Sequence, residues 1–287
     1  MRTRSSRTMA TMTREEVEEK IQAGQALVNK DLDGVRLEGS RLVGAVFERC
    51  QLRHARFDDS ILHGAIFRNC NLTGASMRDV KMRESLLKEC IISGVDFSGA
   101  YMVEASIGQS AMRKAVFRDA NLSHSFFVDV HIEVSDFSGA RLQRALLKES
   151  FFILCDFADL RAEFLNAPKT DFSGSTIVGA NLDRAVLMGC NFTLANLQGA
   201  SMRGCPLKSA NFFSADLRGV RFTKSNLEGA ALMSVNAEGA DMEGANLSRA
   251  FLIEGNFTGA NFDAAFLTNA FREGALFDGA SFQGARQ

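Results

Sequence analysis

The chain has 287 residues, 46% of them hydrophobic and 23% charged, which is material for one large core or two ordinary domains. Its formal net charge of −1 provides no global field to steer it to nucleic acid or an anionic membrane. No run of about 18 apolar residues offers a membrane span, so a membrane-embedded protein is excluded as an expectation.

Residues 1–13 are rich in Arg, Ser and Thr and lack the apolar stretch of a secretory signal, so they read as a disordered tail on a cytoplasmic protein. Their basic composition also fits a transit peptide, the weaker reading. Next, Thr13-Arg14-Glu15-Glu16 forms a capping box, and Val17, Ile21, Ala23, Leu27 and Val28 leave one apolar helical face. The pattern predicts a helix from about residue 14 to 28 within a capping segment 14–29. An amphipathic helix there would cover the open first layer of whatever follows.

From residue 30 to 285 a strict period of five takes over. Between Leu32 and Phe282 there are 51 positions whose numbers end in 2 or 7; all but Ala162, Ala167, Ala237 and Arg272 are Leu, Ile, Met or Phe, which leaves 47. Two residues before each stands Ala, Ser, Cys, Val or Thr, broken only by Lys30, Leu160, Leu165 and Gly255. Of the 23 glycines after residue 30, 21 fall two places after the large residue, marking corners. The 24 Phe against one Tyr and no Trp are an odd aromatic balance, since a mixed globular core draws on all three rings, so some rule is selecting Phe. Five matches neither the helical period of 3.6 nor the strand period of 2. A closed coil resolves this: if four pentads form one square turn, every large residue points inward and each backbone group pairs with the coil above or below. The pattern predicts about 13 coils at ~4.8 Å each, a rod about 60 Å long.

Over residues 158–170 the pattern lapses, with Leu160 and Leu165 in small-residue sites and Ala162 and Ala167 in large ones. This predicts an irregular coil, bulged or looped, between stacked segments 30–157 and 171–285. Farther on, Arg272 at an otherwise apolar centre predicts distorted final coils.

Repeats such as Ala245-Asn246-Leu247-Ser248-Arg249 and Ala260-Asn261-Phe262-Asp263-Ala264 resemble the A(D/N)LXX unit of the pentapeptide-repeat family. The resemblance covers about nine-tenths of the chain. It implies an all-β, right-handed quadrilateral parallel β-helix, and a protein that works by interaction rather than catalysis.

Chemistry-bearing residues point the same way. Cys50, Cys70, Cys90, Cys155, Cys190 and Cys205 all occupy small inward sites, and the first three, twenty apart, stack in a column unsuited to tetrahedral zinc or to disulfide torsions. His54, His63, His124 and His131 fall at scattered outward positions, so no nucleophile and base pair assembles around them. Neither a phosphate-binding loop nor a dinucleotide fingerprint occurs. The expectation is no enzyme, no cofactor, no metal and no small-molecule substrate.

Function must then lie on the outer faces. One outward column at intervals of twenty is apolar, through Val46, Ile66, Leu86, Phe126, Leu146, Val186, Pro206 and Phe266, where Asn or Asp is usual. A different face gathers Phe151 and Ile153, then Phe213, Met233, Phe251, Ile253 and Phe271. Exposed apolar area of this kind marks a contact surface, although such columns also stabilise a ladder by stacking. Arg41, Lys81, Arg141, Arg161 and Arg221 dot a third face too sparsely for a nucleic-acid footprint. The expected partner is a protein or a second copy, met through an apolar face or the C-terminal coil, with no direct nucleic acid and no membrane.

Two functions implied by the family resemblance compete. The lead-in from Met12 to Val17, through Gln25-Ala26-Leu27-Val28 into Asp31-Leu32-Asp33-Gly34-Val35, is similar to pentapeptide-repeat proteins associated with bacterial type VI secretion, which are thought to serve as adaptors for effector loading. The alternative is protection of DNA gyrase from quinolones or related toxins by an acidic rod that mimics DNA. Residues 30–157 carry 17 basic and 17 acidic side chains, and no helix follows Phe282, so the adaptor reading is preferred.

Overall fold

The computed structural model describes residues 12–287, and the expected tail over 1–13 lies almost wholly outside the described residues. A short helix, α1 (Arg14–Gln22), leads into a parallel β-solenoid whose rungs advance by twenty residues. The register begins at Leu27 opposite Phe47 and is still in phase at Phe266 opposite Arg286. Within one column, twelve successive bridges run from Arg41 to Ser281. Four pentads per rung make four sides. On one side the backbone is extended enough to form a seven-stranded sheet from Leu27–Val28 to Leu146–Lys148, and on another a three-stranded sheet of Ala111–Arg113, His131–Glu133 and Phe151–Ile153. Elsewhere the sides meet as single bridges between turns.

Each feature of the repeat has a physical cause. Every residue whose number ends in 4 or 9, from Gly24 to Gly284, has positive φ, which is where the chain turns a corner. Glycine reaches that conformation without steric cost, hence its recurrence. The Asn or Asp before the large residue holds the turn by accepting the N–H two residues on, as Asn71 does from Thr73 (3.1 Å) and Asn256 from Thr258 (3.1 Å). The large residues stack along the rod axis: Phe97 and Phe117 lie 4.8 Å apart and Phe117 and Phe137 4.7 Å apart, with rings nearly parallel. That spacing is the rise of one rung, so the ring column and the backbone ladder support each other.

Three expectations are corrected. The helix ends at Gln22 rather than 28: Gly24 (φ 70) turns left-handed and Leu27–Val28 is already the first strand. Leu27 stands five residues before Leu32 and is fully buried, so the apolar residues that suggested a longer helix belong to the solenoid. The shorter helix still covers the first coil. Val17 is buried against it, the Thr13–Glu16 capping box is formed, and the Ser40 hydroxyl donates to Glu18 (2.5 Å).

Residues 158–170 form an ordinary coil, with Arg161 bridging Arg141 and Asn181, and Asn166 bridging Leu146 and Val186. Leu160, Ala162, Leu165 and Ala167 are all buried. The large side chains have moved by two positions along an inward-facing chain, so core volume is nearly conserved and the backbone has no reason to bulge. The exchange is imperfect and leaves an apolar cavity of about 10 Å³ lined by Leu142, Leu160, Leu165, Leu182 and their neighbours. A site that small and apolar stays dry. Nor are the final coils distorted by Arg272, since Leu252 N–H still donates to Phe271 O (2.7 Å) and Ala275 N–H to Arg272 O (3.1 Å). Its guanidinium reaches past the last inward layer to Gln287 (3.3 Å). No helix among the described residues is long and apolar enough to cross a membrane.

Candidate interaction surfaces

The solenoid turns sequence spacing into surface geometry, because residues twenty apart become neighbours along the rod. The first apolar column is real but broken. Val46, Ile66 and Leu86 pair in sequence, Ser106 interrupts, Phe126 and Leu146 pair next, and Asn166 separates them from Val186. Its members are half-buried except Phe126 (44% exposed) and, far along, Phe266. Within its two runs the side chains shield one another along the rod, so this column mainly reinforces the ladder.

The second area is more open. Phe213, Met233 and Ile253 follow one another in one column, and Ala231, Phe251 and Phe271 in the adjacent column of the same face. The rings of Phe251 and Phe271 stack at 4.9 Å with planes 6° apart, and Phe213 and Phe271 are more than two-fifths exposed. Leu194, which the sequence reading missed, extends the area at the next corner and is 66% exposed. Its signal was present, since it lies twenty before Ser214 in the corner column that borders Phe213. Phe151 and Ile153 share the face but not the patch. The coil of Asp171, Ser173 and Gly174 intervenes, and Phe151 packs instead on His131, ring centres 5.6 Å apart.

Charged side chains also fall into combs. Asp59, Asp79, Asp119 and Asp159 share one corner column, three of them separated by glycines. Those glycines leave room for the carboxylates as placed: a Cβ on Gly99 would stand 2.2 Å from Asp79 Oδ1, and one on Gly139 would stand 2.3 Å from Asp119 Oδ1. The carboxylates therefore lie over the next coil along the rod edge. On the adjoining face Arg41, Lys81, Arg141, Arg161 and Arg221 occupy one column, as the spacing required.

Inside, all six cysteines are buried and unbridged. Cys50, Cys70 and Cys90 each donate to a carbonyl 23 residues earlier, at 3.1 to 3.4 Å, and burial pushes the thiols of Cys155, Cys190 and Cys205 up to about 12. Among the described residues no group of three or more His, Cys, Asp or Glu is placed to hold a metal ion. The His131 ring has one polar side-chain contact, with Glu133 (2.8 Å), and His54 and His124 stand exposed at separate corners.

The family described as Pentapeptide repeats matches residues 31–69, 65–102, 135–174, 169–204, 210–249 and 256–286, well over half of the chain. No curated protein matches the sequence. Among solved structures, HetL, a pentapeptide-repeat protein involved in heterocyst differentiation regulation in the cyanobacterium Nostoc sp. strain PCC 7120, is 21% identical, with 94% of this chain and 97% of that one covered at a TM-score of 0.35. QnrB1, a plasmid-mediated fluoroquinolone resistance protein, is 21% identical over 68% of this chain and 90% of its own, at a TM-score of 0.30. A pentapeptide-repeat protein of the Arabidopsis thaliana thylakoid lumen is 30% identical over 40% of this chain and 63% of its own, at a TM-score of 0.16.

Proposed function

The chain belongs to the pentapeptide-repeat family, and from that premise we propose that it is a non-catalytic scaffold that binds a protein partner through the apolar patch around Phe213, Met233, Phe251 and Ile253. The observation that carries this reading is that patch itself: side chains from successive coils, contiguous on one face, with Phe213, Phe251 and Phe271 open to solvent and Met233 and Ile253 half-buried. A soluble surface keeps such area when something covers it. Phe and Met in flat contact supply most of the free energy of association, with the surrounding Asn, Ser and Thr as a polar rim.

The resemblance of the lead-in segment supports a finer proposal, that the partner is an effector or spike component of a type VI secretion apparatus and that this chain is the adaptor. A variant carrying Phe213→Glu with Phe251→Glu and another carrying Leu86→Glu with Phe126→Glu are compared with the parent by mass in solution and by recovery of the partner. Loss in the first variant alone supports the reading. If both stay folded and behave like the parent, it fails.

One observation favours the second reading, protection of DNA gyrase: the corner comb of Asp59, Asp79, Asp119 and Asp159 places carboxylates along one edge at intervals of one or two coils. Opposing it, Arg78 pairs with Asp58 (3.2 Å) and Arg118 with Asp136 (2.5 Å) on the face beside that edge, which blunts its charge. A supercoiling assay with a gyrase poison separates the two readings, since strong rescue at low-micromolar protein selects this one.

A further inference from the structure

The face that carries the Arg41 column changes character between residues 141 and 224. Arg141, Arg144, Arg161, Arg184, Arg221 and Lys224 are all exposed there, and none is ion-paired with a described residue. Five coils of rod, spanning about 20 Å, thus hold six uncommitted cations. Of the carboxylates on this face, Asp183 takes the Arg203 guanidinium (2.6 Å) and the Ser201 hydroxyl (2.5 Å), and Glu163 accepts from the Asn181 amide (2.7 Å), while Asp159 stands on the opposite edge of the face from the Arg144–Arg184 corner.

At the centre of this stretch stands Phe164, 45% exposed, in the corner column between Arg144 and Arg184. The guanidinium carbon of Arg144 lies 5.4 Å from the ring centre and that of Arg184 5.6 Å from it. Both arginines are therefore held on the ring, and stacking leaves the planar N–H edges free. Phe164 adopts φ +60°, a conformation that a bulky L-residue reaches only at a steric cost. Gly204 fills the same corner column one coil beyond Arg184 without that cost. The positive φ is the corner's own requirement, but an exposed aromatic ring that steadies two unpaired arginines is a feature the fold does not need for itself.

We propose that Arg144, Phe164 and Arg184 form a carboxylate clamp, and that this basic face docks an extended acidic polypeptide segment. The two arginines are two coils apart, about 10 Å, which matches the ~9.3 Å between residues i and i+3 on one side of an extended polyproline II segment. Each guanidinium edge takes one carboxylate through paired N–H donors. A nucleic acid fits less well: both faces of the one aromatic ring are occupied by guanidinium groups, so no open π-surface remains on which a base can stack. The site lies on a different face from the Phe213–Phe251 patch and stands whether or not that patch binds a partner.

The test uses the full chain and a fluorescein-labelled Gly/Ser peptide with Glu at every third position, followed by fluorescence anisotropy at low and at physiological ionic strength. A peptide with Gln in place of Glu and a single-stranded oligo-dT serve as comparators. The Glu peptide is expected to bind saturably and the Gln peptide at least about 10-fold more weakly. Arg144→Gln with Arg184→Gln should lose about 10-fold or more, and Arg144→Lys with Arg184→Lys should lose affinity too, because an ammonium neither stacks nor forks. Phe164→Gly should bind more weakly while melting no lower than the parent, since glycine relieves the corner. Binding that is absent, or that these substitutions leave unchanged, overturns the proposal. So does oligo-dT that binds more tightly than the Glu peptide and is released by the same substitutions, which would assign the face to nucleic acid.

Discussion

Replacing Leu165 by Ala tests whether the coil at 158–170 keeps its register through a trade of volume between neighbouring inward sites. Leu165 is 1% exposed and borders the existing cavity, so the space it vacates joins a void that has not collapsed. Leu→Ala changes in cores cost about 2.7–5.0 kcal/mol, and a site that cannot close lies toward the upper end. For a chain of this size each kcal/mol lowers the melting temperature by about 2–4 °C, so a fall of about 8–16 °C is expected. The complementary change, Ala167→Leu, forces a large side chain into a layer where Leu165 already intrudes, at a cost of about 1–3 kcal/mol. Combined, the two restore the ordinary small–large order, and the double variant should lie within about 1.5 kcal/mol of the parent. Urea unfolding of all four proteins, followed by circular dichroism, gives the coupling from the double-mutant cycle. If the double variant loses the sum of the single losses, the two side chains do not share one space, and compensation is not what keeps this coil regular.

Other consequences are simpler to measure. Val134 is a β-branched residue at φ +50°, so Val134→Gly should raise stability by about 1 kcal/mol in thermal unfolding, the relief of the left-handed corner exceeding the entropy cost of glycine. Asp58, Asp136, Asp183 and Asp216 all sit below the usual aspartate value: burial opposes the shift in the first three, but hydroxyl, backbone N–H and Arg donors outweigh it, and in Asp216 the Arg218 hydrogen bond leads. Groups depressed in the folded state stabilise it fully above their unfolded value of 3.8 and lose that contribution as pH falls through the folded values, so the melting temperature should drop below about pH 4 and hold above pH 5. The six cysteines should resist thiol labelling of the native protein at neutral pH, and rapid modification of Cys70 or Cys90 would show that the coils open.

How much was legible beforehand depended on how often the chain repeated a statement. The pentad states its pitch at 51 centres, and each inward residue, corner glycine and Asx turn repeats the same local requirement. One or two exceptions therefore could not shift the reading of fold, register or buried cysteines. Where a feature occurs once, the sequence was ambiguous. Leu27 and Val28 suit a helix face as well as an inward strand, and Gly24 ends the helix because the first strand must meet Phe47. Leu160 and Leu165 looked like a breakdown because sites were judged one by one, whereas packing sums volume across the layer. Outward positions were harder still, since spacing assigns a column but not the reach of a side chain. Only the three-dimensional arrangement left most of the Val46 column half-buried, gathered Leu194 beside Phe213, and laid Arg144 and Arg184 on Phe164. The solenoid's shape comes from local rules repeated along the chain, but its recognition surfaces come from contacts between coils, and those are decided by side-chain volume and conformation in the assembled rod.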